Sequence, residues 1–239
     1  AVASAREDSV VAECAVRELG RRLMDPLWAQ TNYVAVRVSE ICDVVSNAKL
    51  HSSCPHTVRQ QLLRVLIDAS HCCAAASPGV VALALDWSQC TRPATRAAAL
   101  KALCADSTTA RAQAASLREG LTQFALQDAD PTVRAAALEG MLVLHRRQVV
   151  PLLLPSAWDA SLAGLEDESE LVRGAAVELL WMLAELFSSE QAPSPPGWSV
   201  VDRVFVLISN AVSDASLPVR VKAASLLGSL VGVSHFVLM

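Results

Sequence analysis

Glycine and aromatic residues are scarce in this chain. Nine glycines in 239 residues and an aromatic share of 4% leave too few turn formers and large flat side chains for a sheet-based protein of this size. An excess of positive charge is also missing: 20 Lys and Arg stand against 24 Asp and Glu, a net charge of −4. Residues 1–120 carry 13 basic and 11 acidic side chains, and residues 121–239 carry 7 and 13. Neither half has the basic balance of an autonomous nucleic-acid binder. Arg17, Arg21 and Arg22 lie near one face of a first helix and read as a solvated face rather than a binding strip. No apolar run reaches the length of a membrane span, and no leading stretch reads as a signal peptide. The missing initiator Met and the apolar run Phe236–Met239 read as a fragment of a longer array, since an array without a polar cap continues or is covered.

Reactive constellations are equally scarce. There is no Gly-rich phosphate loop, no HExxH and no GxSxG. Of His51, His56, His71, His145 and His235, none is followed by Glu. That excludes the repeated His-Glu pairs by which one helical-repeat enzyme family, the deoxyhypusine hydroxylases, binds iron. Glu166, Asp167, Glu168 and Glu170 form an acidic junction, not a converging acid/base pair. All seven cysteines lie at or before Cys104. The odd count and helix-embedded positions argue against a disulfide framework and for a reducing compartment. Cys14, Cys42 and Cys104 read as small buried hydrophobes. Cys54, His56, His71, Cys72 and Cys73 do not make a zinc site, because no CxxC pair exists and neighbouring cysteines diverge by about 100° on a helix. The expectation is a protein with no catalytic residue, no cofactor and no metal.

What the chain does have is a phrase that returns. Asp128, Val133, Arg134 and Ala137 recur as Asp167, Val172, Arg173 and Ala176, and again as Asp214, Val219, Arg220 and Ala223. Blurrier copies stand at Val36-Arg37, Val58-Arg59 and Thr95-Arg96. From Arg96 onward the arginines recur at 38, 39 and 47 residues, the period of HEAT or armadillo arrays. Spacings of four put Val133, Ala137 and Met141 on one helix face, as they do Val172, Ala176, Leu180 and Val219, Ala223, Leu227. Val58, Leu62, Leu66 and Thr95, Ala99, Leu103 repeat the stripe, while Glu40 interrupts it between Val36 and Val44, the mark of a rotated unit or an end cap. The central Ala lets a neighbouring helix approach closely. Asp130-Pro131 supplies a helix start, since Asp caps exposed N–H groups and Pro suits the first helical position. The Asp of each phrase is expected to cap its helix, and the Arg to bridge to an Asp of the adjacent repeat and fix the stacking angle.

The resulting expectation is an all-α solenoid of the HEAT/armadillo type with five to six antiparallel helix pairs. It forms a single array over 1–239, with degenerate repeats over 1–109 and clear ones at 110–148, 149–191 and 198–233. A first helix is expected over Ser4–Arg22 and a second around Val34–Ala48. The Pro-rich linker 191–197 cannot be helical and is expected to extend. It reads as an insertion at a loop tip, with Ser194 a candidate phosphorylation site.

Beyond the pattern, Val133–Arg147, Val172–Phe187 with its Trp181, Val201–Phe205 and Val219–Leu230 followed by Ser234–Phe236 resemble the HEAT region of the family of the fourth Integrator complex subunit. The resemblance is carried by residues 124–239, and over 1–120 by repeat order and the Val36-Arg37 phrase. It implies a nuclear, non-catalytic scaffold, related in role to symplekin. In that family the subunit holds a pair of metallo-β-lactamase-type subunits, one an RNA endonuclease, in a cleavage module. The complex acts in small nuclear RNA 3′-end formation and in attenuating transcription by RNA polymerase II. The part that grips the nuclease pair lies C-terminal to the HEAT array. Direct nucleic-acid binding and membrane association are not expected. The alternative is a HEAT adaptor of another complex: a phosphatase scaffold, a nuclear transport receptor or a chromosome-organising subunit, which would share the fold.

Overall fold

The computed structural model describes residue 62 and residues 84–105, 114–146, 154–188, 190–193 and 197–238. The expected first two helices, the Val36 and Val58 phrases, the cysteine–histidine group at 54–73 and Ser194 lie outside the described residues. The chain divides into two compact units, Ala1–Gln113 and Ala114–Met239. In the first, α1 (Pro93–Ala105) follows a short helical stretch at 84–88. Thr95, Ala99 and Leu103 are buried along α1, and Trp87 is fully buried before it.

The second unit is built from α2 (Ala114–Gln127), α3 (Pro131–Arg146), α4 (Leu154–Leu165), α5 (Glu170–Leu186), α6 (Val200–Ala211), α7 (Leu217–Leu227) and the short α8 (His235–Leu238). Turns of three, four and five residues join α2 to α3, α4 to α5 and α6 to α7, and turns that short fold each pair into an antiparallel hairpin. α3 packs on α5 and α5 on α7, while α2 packs on α4. The second helices α3, α5 and α7 therefore stack in one layer, with α2 and α4 packed together beside it. Among the described residues there is no β-strand, only an isolated bridge between Gln191 and Ser199. The fold is all-α and assembled from stacked helix pairs.

Each second helix starts for local reasons. Asp130 is the cap of α3: its carboxylate accepts from the Thr132 N–H at 2.9 Å, and Pro131 opens the helix where its missing donor is not needed. α5 and α7 start differently. Their cap positions are Ser169 and Ser216, and neither hydroxyl makes a capping bond. Instead Asp167 accepts the Ser169 N–H at 2.9 Å and Asp214 the Ser216 N–H at 2.7 Å. The phrase Asp thus shapes the turn two residues ahead of the cap and does not cap the helix itself. At α6 Ser199 does cap, accepting from the Asp202 N–H at 3.0 Å.

Packing follows the apolar stripe. Val133, Ala137, Val172, Ala176, Leu180, Val219 and Ala223 are 0–1% exposed and Met141 3%, and each fully buried Val or Leu contributes roughly 1.5–3 kcal/mol. Leu227, the third member on α7, is only half-buried. Close approach is set by Gly164 on α4: a β-carbon there would lie 2.8 Å from the Ala176 β-carbon and 3.2 Å from Leu138. α4 and α5 meet where both side chains are minimal. Of the Pro-rich linker, residues 191–193 and 197 are described. Ala192 N–H donates to Trp198 O at 2.8 Å and Val200 N–H to Glu190 O at 2.9 Å. These bonds pin the two ends of the segment together, with Gly197 turning at a φ of +94°.

Because nothing at the Gly164–Ala176 crossing can retreat, Ala176→Leu is expected to lower unfolding stability by roughly 1–3 kcal/mol through overpacking. Urea unfolding of the purified protein measures it; a midpoint equal to wild type would mean that the crossing has slack.

Candidate functional site: the inter-repeat ladder

In the second unit's described residues, side chains of the repeated phrase tie distant turns together by strong polar bonds. Arg134, at the start of α3, donates from Nε to Asp167 Oδ2 at 2.7 Å and from Nη2 to Oδ1 at 2.9 Å. Its remaining nitrogen, Nη1, donates to the carbonyls of Asp128 and Ala129 at 2.9 and 3.1 Å. Arg173 on α5 repeats the arrangement one pair further on. It holds Asp214 at 2.8 and 2.9 Å and its own turn carbonyls, Asp167 and Glu168, at 2.9 and 3.0 Å. Arg220 on α7 clamps the carbonyls of Asp214 and Ala215 at 2.7 and 2.9 Å. In the first unit Arg96 clamps those of Cys90 and Thr91, both at 3.0 Å. Each phrase arginine among the described residues therefore rigidifies its own turn, through carbonyls five and six residues back. Arg134 and Arg173 also fix the next turn.

The pairs are largely withdrawn from water: Arg134 and Asp167 side chains are 13% and 11% exposed, Arg173 and Asp214 15% and 13%. Burial alone would raise the Asp167 carboxyl, but hydrogen bonds from Arg134 and from the Ser169 N–H bring it below its ordinary value. Asp214 is lowered first of all by its hydrogen bonds from Arg173, against burial. Arg134 and Arg173 are held above their ordinary value by the same bonds. All four side chains are charged at neutral pH, and the planar guanidinium meets each carboxylate along one edge.

A second, wetter ladder crosses the same helices further along. Glu178 on α5 accepts from Arg146 of α3 at 2.8 Å and from Lys222 of α7 at 3.2 Å. Burial acts to raise its carboxyl, and these two cations outweigh it. Arg146 and Lys222 are 51% and 39% exposed, so each bridge contributes at most about 1 kcal/mol. Trp181 Nε1 donates to Ser229 Oγ at 2.8 Å, Ser216 donates to Glu170, and Asp202 on α6 accepts from the Ser234 N–H at 2.7 Å. The sequence reading singled out Trp181 only as a likeness and missed Gly164, Glu178, Asp202 and the carbonyl clamp. Arg146, Glu178 and Lys222 are separated by 32 and 44 residues, and only the stacking brings them together.

Of the His residues, His145 is half-buried in the last turn of α3 with no partner for Nδ1 among the described residues. Burial lowers its pKa, which keeps the imidazole neutral at physiological pH. Among the described residues no group of three His, Cys, Asp or Glu side chains could hold a metal ion. No described helix is long and apolar enough to cross a membrane.

Stacked helix pairs locked turn to turn by arginine–aspartate forks define the class: an all-α helical-repeat protein. Known proteins carry the description further. No family model matches the chain. It is 42% identical over 113 residues to Integrator complex subunit 4 of Xenopus laevis, which is 46% of this chain and 12% of that protein. The figures are the same for the Homo sapiens subunit, and for Drosophila melanogaster they are 33% identity over 117 residues, 47% of this chain and 11% of that protein. The likeness to Integrator subunit 4 read from the residues is therefore borne out, and the matched stretch spans about an eighth or less of the relatives' length. Among solved structures, the crystal structure of an engineered protein superposes with a TM-score of 0.59 at 14% identity, over 90% of this chain and 88% of that one. That likeness concerns the fold alone.

Removing a fork leaves a mostly buried carboxylate without its cation. Arg173→Ala is expected to destabilise the protein by roughly 2–3 kcal/mol, below the range for a fully buried pair, and Arg173→Lys should fail to restore wild-type stability because an ammonium cannot span both oxygens. Since the folded pKa values of Asp167 and Asp214 are lowered, the ladder's contribution is complete above the ordinary carboxylate pKa of about 4 and is lost as pH falls through the lower folded values. Urea midpoints should be level from neutral pH down to about 5 and drop below about 4, with a shallower drop in the Arg173 variants. An identical acid limb in wild type and variant would show that the forks contribute nothing to it.

Proposed function

We propose that this chain is a HEAT-type segment of an Integrator scaffold subunit. It acts without catalysis, organising the complex's RNA-cleavage module in small nuclear RNA 3′-end processing and in attenuation of RNA polymerase II transcription in the nucleus. The observation that carries the reading is the 42% identity over 113 residues to a subunit named for that complex. The physical character of the site supports it. Strong side-chain bonds here join one helix pair to the next, so they set the geometry of a surface and offer no group for chemistry. Asp128, Asp167 and Asp214, with Arg134, Arg173 and Arg220, are then positioning residues of the array. Val133, Ala137, Val172, Ala176, Val219 and Ala223 are the stripe that packs it. On this reading the repeats run 110–148, 149–191 and 198–233, joined across the 191–197 segment. The partners are protein subunits, a metallo-β-lactamase-type nuclease pair among them, gripped mainly by the region that follows the array in the family. Nucleic acid is not a direct ligand.

Affinity purification of the tagged full-length protein from nuclei, followed by mass spectrometry, tests this. Integrator subunits including the nuclease pair are the expected partners; phosphatase catalytic subunits or transport factors in their place would refute it. His145→Ala should leave that recovery unchanged, because a scaffold surface does not depend on one neutral imidazole. Loss of RNA cleavage with intact assembly in this variant would point to chemistry in the array.

A further inference from the structure

The exposed ladder changes sign at one position of the repeat. Twelve residues after Arg134 stands Arg146, which donates across to Glu178 of α5 at 2.8 Å. Twelve residues after Arg173 stands Glu185, a carboxylate where the preceding helix has a cation. The receiving position changes too. Glu178 lies five residues after its phrase arginine, and five after Arg220 is Ser225, whose hydroxyl donates to Lys222 O of its own helix at 2.8 Å. Glu185 is exposed and has no side-chain partner among the described residues. It also sits in the last turn of α5, which holds no basic side chain, and the negative end of the helix dipole disfavours a carboxylate there. That placement costs stability rather than adding to it.

Beside Glu185 lies a cleft of about 420 Å³, lined by Ala184, Glu185 and Ser188 at the end of α5 and by Ser229, Leu230 and Val231 after α7. The second wall is pinned at both ends. Ser229 Oγ accepts from Trp181 Nε1 at 2.8 Å and donates to Leu226 O at 2.7 Å. The Ser234 N–H donates to Asp202 of α6 at 2.7 Å, and Gly232 turns the loop between them at a φ of +86°. A wall already fixed loses little entropy when a ligand arrives. Val231 is 85% exposed and supplies alkyl surface at the rim. A free carboxylate, the carbonyl end of a helix and an aliphatic wall together match a side chain with an alkyl stem and a cationic head.

We propose that this cleft is a docking site for a partner protein, which sets the arginine or lysine of an extended segment against Glu185 and a neighbouring apolar side chain on Leu230 and Val231. Charge complementarity defines the occupant. Among the described residues no cation of this chain meets Glu185, and residues 121–239 carry 7 basic side chains against 13 acidic, so an acidic segment or a nucleic acid is repelled. The inference goes beyond the Integrator reading and does not rest on it.

Selection of a random dodecapeptide phage library on the purified full-length protein, followed by fluorescence polarisation with the enriched peptides, tests it. The expected peptides carry Arg or Lys beside an apolar residue. Glu185→Gln should weaken them about tenfold, the loss of one hydrogen-bonded charge pair, and Val231→Ser several-fold. Replacing the basic residue of a peptide by Gln should weaken binding to the wild type equally, and binding to Glu185→Gln little further. The urea midpoint of Glu185→Gln should equal or exceed that of the wild type, which separates lost binding from lost fold. Failure to enrich peptides, enriched peptides without a basic residue, or equal affinities for wild type and Glu185→Gln would overturn the proposal. So would a dimer of the purified protein that Glu185→Gln dissociates, because the occupant would then be a second copy of this chain. Failure of the co-purification test would leave the peptide affinities untouched, so the two readings fall separately.

Discussion

A guanidinium has two usable edges, and the second unit rests on using both. In Arg134 and Arg173 one edge closes on a carboxylate in the next turn, while the remaining nitrogen ties down two carbonyls of the arginine's own turn. The receiving aspartate is itself held, because one of its oxygens also accepts a backbone N–H two residues on. Turn geometry in one pair is therefore bonded to turn geometry in the next through a rigid plane. A lysine would supply the charge without the plane. The turns that open α5 and α7 are each held by such a plane.

Sequence legibility follows from this design. The phrase repeats because each turn needs the same residues, so its period, the Val–Ala stripe and a partner for the arginine in the adjacent repeat could be read from Asp128 to Ala223 without coordinates. The turn aspartate was harder. Asp130 does cap α3, and the same role was expected of Asp167 and Asp214; both instead stand two residues earlier and shape the turn. Asp is favoured at both positions for nearly the same reason, acceptance of a nearby N–H, so residue type alone does not separate them. Gly164 escaped notice because its reason lies on another helix, at Ala176. The Glu178 bridges have no periodic signature, since Arg146 and Lys222 are unlike residues at unlike offsets. The 191–197 segment shows the limit of composition: its prolines forbid helix but say nothing of the two backbone bonds that bring its ends together.

The proposed scaffold role would work through geometry. A surface that presents partners in fixed relation needs rigid spacing, and spacing is what the forks control. The exposed ladder through Glu178 and the Trp181–Ser229 bond add further ties across α5 and α7, each weak alone and placed far along the helices from the forks. Two sets of ties at separate points along a helix oppose rotation in a way that one set cannot.

Stability and geometry are then carried by different groups. Val133, Val172, Val219, Leu180 and the close-packed alanines are nearly fully buried, and their removal from water supplies the favourable free energy. The forks, at 11–15% side-chain exposure, recover in hydrogen bonds and charge attraction much of what desolvation costs, and their net share is modest. Apolar contact is non-directional, and small residues such as Gly164 and Ala176 permit close approach without selecting one rotation about it. A bidentate fork does select. The stripe makes the helices pack; the arginine and aspartate decide at what angle, and that angle, repeated from Arg134 to Arg173, is the property on which the proposed scaffold role would rest.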